Sequence, residues 1–147
     1  MTAVLQVTKQ VREHATTEQE LQRRLGLAAR ELGLSKRQAS EAAELGCMRV
    51  DGIQISVSCL ETDVQKDAVI VAKLNVPVDP ASLRQLLEIN LVAAIALQST
   101  IAIDCNGDAI LMALLPVFTS APSTLANHIS QMALFANTLE IQITTRL

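Results

Sequence analysis

Apolar residues recur at helical spacing in some stretches of this chain and at every second position in others. Leu21, Leu25, Ala28 and Leu32 fall on one helical face. Thr17 with Glu20 makes a capping-box pair at its start, and Gly33 suits its end. Ser35 and Gln38 repeat the capping pattern, which predicts a short second helix over residues 36–45 that stops at Gly46. From Cys47 the period becomes two. Met48 and Val50 precede an Asp51-Gly52 turn, and Ile53, Ile55, Val57 and Cys59 then alternate with polar residues. After the charged stretch 61–67, Ile70, Ala72, Leu74 and Val76 share one face of a strand over 68–76.

The pattern returns to helical at Asp79, an N-cap residue followed by Pro80 at the position where a missing N–H costs nothing. Leu83, Leu86, Leu87 and Leu91 define the apolar side of a helix over 80–92. Ile95, Leu97, Ile101 and Ile103 then alternate as a strand, and Asn106-Gly107 predicts a type I′ hairpin turn. The returning strand, 109–117, is apolar on both faces, so it should be central or covered by a second molecule. Leu125, Ile129, Met132, Ala136, Leu139 and Ile143 step by three and four through a long last helix. The reading is an α+β fold, α-β-β-β-α-β-β-α with the short extra helix at 36–45, its twisted and mostly antiparallel sheet flanked by helices. Residues 1–16, with Val4, Val7 and Val11 but no cap, read as a loosely attached extension to a single domain over 17–147.

Composition adds a partner to this picture. Half of the 147 residues are hydrophobic and only 1% aromatic, and mean hydropathy is +0.32. Leu, Ile, Val and Ala must therefore build the core, and they exceed what one thin domain hides, which favours a homodimer or a protein that covers an apolar client. Membrane insertion is not expected, because Gln98, Ser99 and Thr100 interrupt the apolar run 91–103. The start of the chain, with Lys9, Arg12 and Glu13, lacks the apolar core of a signal peptide, so the expected location is the cytoplasm. Cys47, Cys59 and Cys105 are an odd set without C-x-x-C spacing, which fits neither a disulfide framework nor a zinc site. A net charge of −3 disfavours a general polyanion binder.

No catalytic constellation is present in the sequence. His14 and His128 have no nucleophile motif nearby, and the five glycines form no phosphate-cradling loop. Asp104-Cys105-Asn106-Gly107-Asp108 has a superficial likeness to a calcium loop, but Ala109 stands where that loop needs glycine. The expectation is a non-enzyme without metal or cofactor. One rival remains: 27–46 has the outline of a helix-turn-helix, with Lys36-Arg37-Gln38 opening the second helix. Glu41 and Glu44 on that helix would repel phosphates, so a DNA-binding regulator is the alternative and no nucleic-acid partner is expected.

Several of these segments together resemble the class I type III secretion chaperones, small acidic bacterial proteins that escort effectors to an injection apparatus. Leu86-Leu87-Glu88-Ile89-Asn90-Leu91 is similar to the family's "LLEANL" helix core. Ile95–Asp104, the Asn-Gly turn and Leu111–Pro116 resemble its following hairpin. Leu21–Leu34 resembles the first helix, Met48-Arg49-Val50-Asp51 the first strand, and Phe135-Ala136-Asn137 part of the last helix. The chain departs from the pattern at Glu140-Ile141, where tryptophan is frequent, and at Met112-Ala113-Leu114, where a basic pair is usual.

The resemblance implies a bacterial, cytoplasmic homodimer that works without ATP. Such a protein binds the N-terminal region of a secreted effector as an extended, non-globular segment and keeps it competent for export. On that basis the dimer interface is expected at Leu83, Leu86, Leu87, Asn90, Leu91, Ile95 and Leu97. Effector contacts are expected at Leu21, Leu25, Leu32 and Leu34 of the first helix region and at Ile53, Ile55 and Val57 on the adjacent strand. A same-fold dimer with no effector client is the other alternative, because fold alone does not fix function.

Overall fold

The computed structural model describes the backbone of residues 2–145 and the side chains of residues 17–143. Its element order is α1 (Thr2–Glu31), α2 (Lys36–Leu45), β1 (Cys47–Val50), β2 (Ile53–Glu61), β3 (Lys66–Lys73), α3 (Pro80–Leu97), β4 (Ser99–Ile103), β5 (Ala109–Pro116) and α4 (Pro122–Thr145). The five strands form one sheet in the order β1-β2-β3-β5-β4, and every pairing is antiparallel. The α+β expectation and its element order hold. β5 lies between β3 and β4, the interior position that its two apolar faces demand.

Local chemistry explains most boundaries. α1 ends in a Schellman motif: Leu34 N–H donates to Ala29 O and Gly33 N–H to Arg30 O, with Gly33 at φ +89°. The Ser35 hydroxyl accepts from Gln38 N–H while the Gln38 side chain accepts from Ser35 N–H, the reciprocal capping box that opens α2. Asp79 accepts from Ser82 N–H at 2.8 Å and opens α3 as expected.

Four expectations are corrected. α1 begins at Thr2 instead of residue 17, so Thr17 is a buried residue inside the helix. Its amide already has a helical acceptor upstream, and Glu20 turns to Arg23 and Arg24 instead. The side chains of the expected extension, residues 1–16, lie outside the described residues. α3 runs on to Leu97, so Ile95 and Leu97 are helical; nothing in 91–97 breaks the helix until Gln98 takes φ +50°. β3 stops at Lys73, although Leu74 and Val76 beyond it are buried. The turn chemistry is also exchanged between the two hairpins. Asp51 and Gly52 both have positive φ and make the two-residue link from β1 to β2. Between β4 and β5 only Gly107 does, and Asp104 organises a longer turn by accepting from Asn106 N–H and Asp108 N–H.

The core lies on one face of the sheet. In register, Val57, Ile70, Ala113 and Ser99 form one buried row, and Ile55, Ala72 and Leu111 form the next. α4 covers them with Leu125, Ile129, Met132, Ala136, Leu139 and Ile143, and α1 with Leu21, Leu25, Ala28 and Ala29. Arg24 ties α1 to the link that leads into α4, donating to Ser120 O at 2.5 Å while paired with Glu20. The opposite face carries Ser56 and Ser58 beside Val71, Met112, Val69 and Leu114.

Candidate partner-binding surfaces

The two ends of the sheet differ in what they leave uncovered. At the β4 end, α3 packs along the last strand and buries Ser82, Leu86 and Ala93. Its other side faces solvent, with Leu87 73%, Leu91 67%, Val92 55% and Ile95 76% exposed. Positions 87, 91 and 95 are spaced by four and form one stripe, flanked by the Arg84–Glu88 ion pair. Ile103, 44% exposed, extends the apolar surface onto the edge strand.

The seven residues expected at a dimer contact therefore divide. Leu87, Leu91 and Ile95 are presented outward, Leu86 is core, and Leu83 and Leu97 pack partly against the core. Leu83, Leu86, Leu87 and Asn90 line a crease between α3 and β4 together with Ile101 and Ile103. Asn90 serves the fold directly: its side-chain carbonyl accepts from Ile101 N–H at 2.8 Å. That amide would otherwise be an open donor on the edge of β4. Val92 belongs to the exposed side and was not singled out from the sequence. Its place after Leu91 in an unbroken apolar run hides it from any periodicity. By length and mean hydropathy (1.2) α3 is apolar enough to cross a membrane, but its Asp79 cap, the Asn90 bond and the buried side fix it to this domain.

At the other end, β1 is only four residues long and β2 continues past it. Val57 N–H donates to Gly46 O, after which, among the described residues, the outer edge of β2 has no strand partner. α1 and the end of α2 flank that edge and enclose a groove of about 220 Å³. Leu21, Leu25 and Val57 form its floor, and Leu45, 71% exposed, its lip. Glu18 and Glu44 stand on the walls and Cys59 on the strand edge. Gly46 is required here, since a Cβ on it would lie 2.6 Å from Val57 O and its φ is +69°.

Of the residues expected to touch an effector, Leu21, Leu25 and Val57 thus meet at one groove, although each is nearly buried. Ile53 and Ile55 lie fully inside, under α1 and α4, and form no surface in this conformation. Leu32 and Leu34 pack half-buried around the α1–α2 turn. The groove walls from α2, Glu44 and Leu45, were not anticipated, because a polar short helix gives no sign of lining a cavity.

The titratable groups carry structural signatures. Hydrogen bonds from Arg23 and Arg24 pull the Glu20 carboxyl down to about 2. Burial pushes the Cys59 thiol up, aided by the negative charges of Glu61, Glu18 and Asp67 and opposed by Lys66. Burial lowers His128, whose Nε2 has no partner. Among the described residues no three metal-ligating side chains converge. In α2, Ala39 and Ala42 pack inward and Arg37 pairs with Glu41, which weakens its use as a groove-reading helix.

The fold defined by this sheet and its helices is that of the type III secretion chaperones. A chain of the HopA1–SchA chaperone–effector complex is 13% identical with a TM-score of 0.63, over 85% of this chain and 96% of that one. The Yersinia pestis complex of the type III secretion chaperone SycH with a stable fragment of YscM2 gives 21% identity and 0.59, over 81% and 98%. The ExoU–SpcU complex from the type III secretion system of Pseudomonas aeruginosa gives 16% and 0.51, over 65% and 78%. No family model matches the sequence, and no curated protein matches it.

Proposed function

We propose that this chain is a type III secretion chaperone that acts in the bacterial cytoplasm without ATP. It binds the N-terminal region of an effector as an extended segment, and it does so as a homodimer joined through the exposed side of α3 and the edge of β4. The observation that carries the reading is the shared fold, which spans 81–85% of this chain and almost all of the SchA- and SycH-complex chains. The unpartnered stripe of Leu87, Leu91 and Ile95 supports a second copy. An uncovered strand edge beside an apolar floor supports an extended client, since main-chain hydrogen bonds and alternate side-chain pockets are how sheets bind such segments. Ordering a flexible segment is costly, so the surface offered must be broad and apolar.

Affinity recovery of tagged protein from its native cytoplasm, with and without nuclease, tests the proposal. The expected result is one roughly stoichiometric protein whose N-terminal segment alone suffices for rebinding. Nuclease-sensitive recovery of DNA would instead favour the helix-turn-helix regulator, and a bare dimer would favour a same-fold protein with no client.

A further inference from the structure

We infer that Asn106 is a site of spontaneous covalent modification: its side-chain amide closes on the Gly107 nitrogen, and the resulting ring opens to aspartate or isoaspartate. Ring closure needs an asparagine side chain open to water, an unshielded nitrogen after it, and a backbone free to bring the two together. The β4–β5 turn supplies all of these. Asn106 and Gly107 are both exposed. The hydrogen bonds that shape the turn are made by Asp104, and the Asn106 side chain takes part in none of them. Gly107 has φ +81° and open space where a Cβ would stand, so no side chain screens its nitrogen. Its restraint is a main-chain bond, Gly107 N–H donating to Asp104 O at 3.1 Å, toward the long end of the range for such bonds. That bond sits at a loop tip, where local opening costs little.

The chain's other asparagines lack this combination. Asn90, Asn127 and Asn137 lie inside α3 and α4, where the following amide is committed to the helical ladder. Asn90 and Asn137 also use their side chains, on Ile101 N–H and Asp51 O. Asn75 is exposed in the link from β3 to α3, but the residue after it is the buried, β-branched Val76, held before Pro77. Asn75 is therefore an internal reference: an exposed asparagine without the glycine.

The chemistry balances with water alone. Gly107 N gives up its proton to hydroxide and bonds to Asn106 Cγ. The Cγ–amide bond breaks, and the departing group takes a proton from water and leaves as ammonia. Water then opens the ring at either carbonyl, with nothing oxidised or reduced. Aspartate keeps the main chain as it was, and its carboxylate joins Asp104 and Asp108 at a hollow of about 210 Å³ that Lys73 also lines. Isoaspartate reroutes the main chain through the side-chain carbon. This adds an atom inside the loop closed by Asp104 N–H donating to Asp108 O at 2.9 Å. β4 is a five-residue edge strand, so a loosened turn loosens the strand.

Incubation of the full chain in mildly alkaline buffer, below its unfolding temperature, with peptide mass mapping over time, tests this. The Asn106 peptide should gain about 1 Da at least about tenfold faster than the Asn75 peptide, at a rate first order in hydroxide. Electron-based fragmentation should find isoaspartate beside aspartate at that position. In the isoaspartate fraction, separated by ion exchange, the amides of residues 103–110 should exchange with deuterium about tenfold faster than in the parent. Asn106→Asp has the charge and the original main chain, so its exchange should stay within about twofold of the parent. Conversion at Asn106 no faster than at Asn75, or a mass gain that Asn106→Gln does not remove, overturns the inference. Equal exchange in the isoaspartate fraction and in Asn106→Asp overturns its structural consequence.

Discussion

Leu87→Asp separates a dimer surface from an ordinary exposed leucine. Leu87 is 73% exposed in the single chain, so its replacement removes almost nothing from the protomer's own packing. Complete burial of a leucine contributes about 1.5–3 kcal/mol, so covering what Leu87 still exposes contributes about 1–2 kcal/mol. A twofold contact uses the residue twice, which makes the loss about 2–4 kcal/mol per dimer. Aspartate adds a desolvated carboxylate on each side without a partner, at several kcal/mol per ion. The combined loss is at least about 4 kcal/mol, or about a thousandfold in Kd. Sedimentation equilibrium over a range of concentrations measures this, with circular dichroism as the check on folding. The parent should dimerise and Leu87→Asp should be a folded monomer. A variant whose dimer Kd stays within about tenfold of the parent would refute the assignment of this face. An unfolded variant would show that Leu87 supports the protomer, contrary to its exposure.

The remaining tests concern the frame around the two surfaces. Gly46→Ala should cost about 2 kcal/mol or more in urea denaturation, since it combines left-handed strain with a clash on Val57 O, whereas Gly107→Ala, with open space around it, should cost about 1; equal losses would remove the close approach from the argument. Gln98→Gly should stabilise by about 0.5–1 kcal/mol, because an exposed glutamine holds φ +50° at the end of α3, and a fall in stability would mean that the Gln98 side chain contributes more than its backbone costs. Because Arg23 and Arg24 hold the Glu20 carboxyl near 2 instead of 4.5, its contribution is present above pH 4.5 and is lost as pH falls toward 2. Glu20→Gln should therefore flatten that part of the acid unfolding profile, and an unchanged profile would remove the Arg24 clamp as its source.

How much was legible in the sequence follows from where its signals are local. The capping box of Ser35 and Gln38 with Gly46 delimited α2 to the residue, and Asp79-Pro80 fixed the start of α3. A cap motif cannot report that the residues before it are already helical, so Thr17 and Glu20 misplaced the start of α1. The run Leu91-Val92-Ala93-Ala94-Ile95-Ala96-Leu97 satisfies both periods. Its helical state is decided at the end, where Gln98 turns the chain toward β4. For the same reason, periodicity grouped Leu86 with Leu87 although one is core and the other bare. Alternation in β2 showed which side chains share a face, not that α1 and α4 cover it, and so Ile53 and Ile55 read as surface.

The strand order also bears on how the two surfaces act together. β4 and α3 close one end of the sheet, while β1, the outer edge of β2 and the α1–α2 groove lie at the other, with β3 and β5 between. A dimer formed through α3 and β4 therefore leaves each protomer's groove on the edge away from the partner. No residue of the groove belongs to the α3 stripe, and sites separated by a packed sheet with no shared side chain act additively. Leu87→Asp should accordingly yield monomers in which iodoacetamide modifies Cys59, in the groove, at the parent's rate. A changed Cys59 rate in a folded monomer would mean that the groove depends on the partner copy, and would contradict the separation that the sheet order imposes.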